Sequence, residues 1–229
     1  MRGRFLGETT NQNDKMKLNV TLTLTEEMLG TKAANPDVFA DFIASKHPTG
    51  TPQRDELDRA EHREEAGTTV FHRDDGKPGI YDYQLKGFFK DACGALRNAD
   101  DTQAKQLTAY KSKIDGLIFV EPRFILFENG EDASQGVKVG VCERPLRADT
   151  AQGPRVSVCR SETVPAGTRI RFSVVCLATT FGKGDDKIQA ESLIEELFRY
   201  GQLRGLGQWR NSGKGRFTVE ISRDEAKAK

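Results

Sequence analysis

The chain has 229 residues and a mass of 25.5 kDa, enough for one large domain, or one domain with a sizeable insertion, to bury a core without disulfide staples. Charged residues make up 30% and apolar ones 36%, which excludes a chain disordered in bulk. No apolar run approaches the ~18–20 residues of a membrane span. The first fifteen residues, MRGRFLGETTNQNDK, lack the apolar stretch of a secretory signal. The four cysteines (Cys93, Cys142, Cys159, Cys176) are therefore expected as reduced thiols in a cytoplasm. They lie far apart, and the three histidines (His47, His62, His72) match no zinc-ligand spacing, so neither a metal nor a cofactor is expected. The net charge of +1 hides an asymmetry: residues 144–229 carry +6 and residues 1–143 carry −5. Such a chain can present a basic face to a polyanion while staying near neutral overall; a salt-bridged surface is the plain alternative.

In chain order, residues 1–15 read as a mobile arm, with Met16 a possible natural start. Leu18, Val20, Leu22 and Leu24 alternate with polar residues, the period-2 signal of a half-buried strand. Pro36 opens a short helical pattern with Val38, Phe39, Phe42 and Ile43 on one side. Residues 53–65 hold six acids and three bases and bury little. From Leu85, the residues Phe88, Phe89, Ala92, Cys93 and Leu96 form one apolar helical stripe, with Asp82 placed to cap its start. A weaker helical pattern covers 102–112. Residues 117–127 read as a strand broken at Pro122, marking an edge or a bulge. Short strands are expected at 137–142 and 155–160, and a further alternating one at 169–178. Leu193, Ile194, Leu197 and Phe198 give a second core helix, with Asp185 and Asp186 near its positive end. Phe217, Val219 and Ile221 mark the last strand, followed by a charged tail at 223–229.

Without the insertions the order is strand, helix, strand, strand, helix, strand. This predicts an α+β, ferredoxin-like or RNA-recognition-type fold: an antiparallel sheet with two helices on one face and the other face open to bases. The domain is expected to span 16–222, with insertions at about 30–75 and 128–167.

The stretch at 201–217, GQLRGLGQWRNSGKGRF, holds five glycines (Gly201, Gly205, Gly207, Gly213, Gly215) and four cations (Arg204, Arg210, Lys214, Arg216) without one acid. Glycine lets backbone N–H groups approach a phosphate, cations neutralise it, and Trp209 can stack on a base. Gln208 and Asn211 lie in the same stretch. Neither a Walker loop nor a GxGxxG helix start is present, so nucleotide hydrolysis is not expected. Lys86 and Lys90 near a helix start, with Lys32 upstream, are further phosphate candidates, although a solvated helix face is the ordinary place for lysine.

A helix running into such a loop and then a terminal strand resembles the RAMP superfamily of CRISPR-associated proteins, and three further segments agree. Residues 22–33, LTLTEEMLGTKA, resemble that family's first strand and its hydrophobic-Gly turn. Residues 75–97 contain the Leu85-Lys86-Gly87 helix start, with Lys90 where an Arg is common; the usual Pro-Gly-Ser-Ser before it is absent. Residues 162–172, ETVPAGTRIRF, resemble the Val-Pro-Ala-Gly-Thr strand start. Together the motifs cover roughly a third of the chain, in order. The likeness is greatest to the subunits that form the backbone of CRISPR effector complexes. It implies a thumb-like hairpin at 128–167 carrying Arg144, Arg147, Arg155 and Arg160. It also implies binding to single-stranded guide RNA, head-to-tail or helical self-association, other effector subunits as partners, and a place in antiviral defence. A phage or mobile-element relative that binds single-stranded DNA is a second reading. A metal-dependent endoribonuclease using Asp55, Asp58, Asp74 or Asp75 is a third, with no catalytic residue singled out by the residues themselves. His62, among Glu61, Glu64 and Glu65, has no orienting partner that would make it a base.

Overall fold

A computed structural model describes residues 16–34, 68–150, 153–182 and 187–223. Its first strands are β1 (Met16–Leu24), β2 (Met28–Leu29), β3 (Lys32–Ala33), β4 (Thr68–Val70), β5 (His72–Asp74) and β6 (Lys77–Tyr81). Helices α1 (Asp82–Leu96), α2 (Gln103–Gln106) and α3 (Tyr110–Leu117) follow. Next come β7 (Ile118–Glu121), β8 (Phe124–Glu128), β9 (Gly140–Thr150), β10 (Gly153–Val164), β11 (Arg169–Cys176), β12 (Thr180–Phe181) and β13 (Ile188–Gln189). Helix α4 (Ala190–Arg204), a 3₁₀ turn at Arg210–Ser212 and β14 (Phe217–Arg223) complete the chain. The arm at 1–15, the pattern at 36–43, the charged block 53–65 with His62, Asp55 and Asp58, and Asp185 and Asp186 lie outside the described residues.

The class is α+β, with largely antiparallel sheets. The main sheet runs β14-β1-β11-β8-β6-β5, with β7 beside β11. In β1 the alternation holds: Met16, Leu18, Val20, Leu22 and Leu24 are buried while Lys17 and Asn19 are exposed. Burial of each such side chain stabilises by about 1.5–3 kcal/mol, and it fixes register. Val20 stands opposite Phe172 of β11 and Ile221 of β14, and a one-residue slip would turn every leucine of β1 to water. Helices α1 and α4 cover this face. Phe88 and Phe89 of α1 meet Phe198 of α4 at ring-centroid distances of 5.9 and 5.4 Å, and Phe88 reaches Phe217 of β14 at 6.2 Å. Gly201 sits at that crossing, where a Cβ would stand 2.5 Å from Phe88 and 2.6 Å from Phe217. Its role is to let the helix pack closely.

Several local expectations shift. Strand 117–127 is broken at the cis Glu121-Pro122 bond. β7 pairs with β11 as far as Glu121↔Ser173, and β8 resumes at Phe127↔Ile170 after its first half has turned to β6. Between those pairs, residues 122–126 leave β11 and stand against only Arg171 and Phe172, so the interruption is an excursion longer than a bulge. Asp82 does not cap α1 from outside: it is the first helical residue, its N–H donates to the Arg123 carbonyl (2.9 Å), and its Oδ1 accepts from the Tyr83 N–H (2.8 Å). Tyr81 occupies the cap position, and Gln84 reaches back to accept its N–H at 2.9 Å. The reason is continuity, because β6 runs directly into α1. The pattern at 102–112 splits into α2 and α3 at Ala109, which has φ +49°. The first N–H groups of α2 donate to Glu196 of α4, both at 2.9 Å. The strand expected at 137–142 starts later, at Gly140, and runs to Thr150, and the one expected at 155–160 is longer, Gly153–Val164. β9 and β10 form a hairpin paired from Gly140↔Thr163 to Thr150↔Gly153, and β10 also pairs β2 and, in parallel, β4.

Candidate nucleic-acid interface

Where β6 becomes α1, one helix face carries Tyr83, Gly87 and Asp91 at i, i+4 and i+8. The β2–β3 turn brings Thr31 and Lys32 alongside, β5 brings His72, and the loop after α4 brings Gly207 and Arg210. These residues line a groove of about 390 Å³. Lys32 and Arg210 are the two expected site residues that it joins. Gly87, part of the Leu85-Lys86-Gly87 helix start, also lines it, while Tyr83 and His72 are functional candidates that composition and spacing did not single out. Tyr81 ends β6 and Tyr83 lies in the first turn of α1, so the two rings meet across the passage from strand to helix.

They stack. The Tyr81 and Tyr83 rings lie 5.4 Å apart and 14° from parallel. His72 stands edge-on to Tyr81 at 4.9 Å, and its Nε2 is 3.2 Å from the Tyr83 hydroxyl. Burial, then the Lys32 charge, hold the His72 imidazole below its usual pKa, which favours the neutral ring. Burial, then Tyr81 and Asp82, push the Tyr83 phenol upward, so it stays protonated. Tyr83 nonetheless remains 52% exposed.

The glycine-rich loop is built differently from a phosphate cradle. Gly205 and Gly215 have φ of +79° and +71°, and a Cβ on either would run into backbone across the loop, at Lys214 and at Leu206. The Leu206 N–H donates to the Gly215 carbonyl (2.9 Å), and the Gly215 N–H donates to the Glu27 carbonyl (2.8 Å). These glycines let the loop cross itself, and their close approach is to their own chain.

Two of the loop's cations have acidic partners that its own sequence does not contain. Arg210 pairs with Asp91 of α1 at 2.7 Å, and Lys214 with Glu27, before β2, at 2.6 Å. That hydrogen bond to Glu27 holds the Lys214 ammonium above its usual pKa. Arg204 donates to Asn211. Arg216 is exposed and has no side-chain partner among the described residues. Lys86 and Lys90 lie on the other side of α1, donating to the Asp115 carbonyl and carboxylate of α3 (both 2.9 Å); they do not reach the groove.

Beside the groove, the base of the hairpin meets the loop through Arg144. Its guanidinium lies 4.8 Å over the Trp209 ring, and Nη2 donates to Gln208 Oε1 at 3.1 Å. The residue is 7% exposed, and its Nε and Nη1 are buried without a hydrogen-bond partner. Arg160 pairs with Glu143 at 2.8 Å. The side chains of Arg147 and Arg155 fall outside the described part.

The open sheet face is polar and largely self-paired. Lys17 meets Glu121 at 3.2 Å, Arg171 meets Glu128 at 2.8 Å, and Ser173 donates to Asn19 at 2.9 Å. Along β1, β11 and β14 that face carries no aromatic ring; Phe119 stands at its outer edge with the Lys86 ammonium 4.7 Å over the ring. Stacking groups are concentrated instead at Tyr83 and Trp209. Asp74 and Asp75 lie in the β5–β6 turn, where Asp75 and Gly76 both have positive φ, the Asp-Gly hairpin geometry. Among the described residues no group of three or more His, Cys, Asp or Glu is placed to hold a metal ion, and no helix is long and apolar enough to cross a membrane.

No protein-family model and no curated protein matches the sequence. Among solved structures, the chain is similar to one in the cryo-EM structure of the Type III-B Cmr-beta bound to cognate target RNA. The TM-score is 0.46 and the identity 12%, over 92% of this chain and 61% of that one. It is also similar to a chain of a Type IV-B CRISPR complex, with a TM-score of 0.44 and 14% identity, over 93% of this chain and 92% of that one. The chain spans about three fifths of the first of them, and neither lends it residue roles.

Proposed function

We propose that this protein is a single-stranded nucleic-acid-binding subunit, for RNA before DNA, with a ferredoxin-like core and a place in a CRISPR-type ribonucleoprotein. The strand order β14-β1-β11-β7/β8, with α1 and α4 as crossovers, supports that core. The observation that carries the function is the groove: Lys32 and Arg210 stand on its walls and a held, exposed Tyr83 stands within it. Cations beside an aromatic ring suit a strand whose backbone is charged and whose bases are unpaired, because the first neutralises phosphate and the second stacks. A duplex buries the base faces that such a ring needs. The ordered family motifs point to the same class of partner.

The test is fluorescence anisotropy with end-labelled single-stranded RNA, single-stranded DNA and duplex of equal length. Single strands should bind, RNA at least as tightly as DNA, with affinity falling as salt rises; the duplex should bind much more weakly. Equal affinity for duplex and single strands, or none for either, would sink the reading.

A further inference from the structure

We infer that the groove holds a nucleobase subsite whose floor is the outer ring face of Tyr83; this rests on the single-strand reading above. One face of Tyr83 is covered by Tyr81 in a near-parallel stack, and the hydroxyl is held at His72 Nε2. The ring is thus oriented before any ligand arrives, and little side-chain freedom remains to be lost on binding. A large aromatic left half exposed in this way contributes little to the core.

The second observation is Gly87. A side chain on a helix leans toward the N-terminus and covers the residue four positions earlier. Residue 87 would therefore lie over Tyr83, yet it is glycine, and nothing in the protein comes within 4 Å of where its Cβ would be. Glycine inside a helix is disfavoured against alanine unless something else needs the space. Gly87 and Tyr83 line the same groove, so the missing side chain leaves an open slot beside the exposed ring. Lys32 and Arg210, lining the same groove, fit the charge of the flanking backbone. The ligand class is a single unpaired base within a strand, taken with little regard to its identity, because every base has a stacking face.

The experiment uses the full chain and RNA oligonucleotides carrying 2-aminopurine at successive positions, with anisotropy for affinity. Wild type should quench the probe at the contacted position, and an abasic residue there should weaken binding. Tyr83→Ala should bind about tenfold more weakly and lose the quench, while Tyr83→Phe, which keeps the ring, should stay within about twofold of wild type. Gly87→Leu leaves every charge in place and suits a helix better, yet it should fill the slot and behave as Tyr83→Ala. The abasic strand should not distinguish Tyr83→Ala from wild type. If Tyr83→Ala and Gly87→Leu bind and quench as wild type does, the subsite is wrong and the single-strand reading stands. If wild type binds no single strand, both are wrong.

Discussion

Arg216 and Arg210 differ in what each must give up before it can hold a phosphate. Arg216 is exposed with no side-chain partner among the described residues, so a phosphate contact there releases a full counterion. Arg210 and Lys214 are already neutralised by Asp91 and Glu27, and a phosphate must displace those carboxylates. Arg216→Ala should therefore lower the log–log salt slope by about 0.7, measured by titrating binding against salt. Arg210→Ala should lower it by less, and Asp91→Asn, which frees Arg210, should tighten binding. Weaker binding by Asp91→Asn would mean that the ion pair itself is what the strand needs. The loop shows where sequence reasoning stopped. Four cations without a neighbouring acid is a correct description of residues 201–217, but the acids arrive from Glu27 and Asp91, more than a hundred residues away in sequence. No local pattern reports such a pairing. The Tyr81–Tyr83 stack spans the passage from strand to helix, and neither the strand period nor the helix period alone marks a contact across that junction.

At the scale of elements, period and burial agreed wherever a single face was buried. β1, β11, α1 and α4 follow their alternating or helical stripes, since one-sided burial leaves no freedom in register. The β9–β10 hairpin was legible only as two short pieces. Both its faces carry polar residues, and the residues that lengthen it gain their pairing from each other, not from the core. Arg144 is where this hairpin is fastened to the glycine loop. A buried guanidinium with two nitrogens unsatisfied costs roughly 1–3 kcal/mol relative to a satisfied one, against which its stack on Trp209 returns about 1–2. Arg144→Met keeps an adaptable side chain on the indole and removes the unmet donors. Its thermal stability should match wild type or exceed it by about 1 kcal/mol, while affinity for single strands falls. A loss of more than about 2 kcal/mol on melting, with affinity unchanged, would make Arg144 a purely structural strut.

The whole molecule presents one further surface that the core does not explain. On the outer face of the hairpin, Val141 and Val158 are 66% and 56% exposed, either side of the Glu143–Arg160 pair. Exposed apolar side chains grouped with charges suit contact with another protein surface. The opposite net charges of residues 1–143 and 144–229 suit a contact between unlike patches on successive copies. Such a heterologous contact propagates along an axis instead of closing a pair, and a bound strand running through successive grooves would hold the copies in line. Oligomers should therefore grow with protein concentration and with strand length, appear as rods or helical filaments by electron microscopy, and shrink in high salt as the charge attraction is screened. Val141→Glu combined with Val158→Glu alters only exposed positions, so the variant should fold and bind a short strand as wild type does but fail to grow on a long one. Light scattering separates the outcomes: a wild-type particle that stays monomeric on a long single strand at low salt would leave a solitary binding module, and growth undiminished in the double variant would move the contact elsewhere.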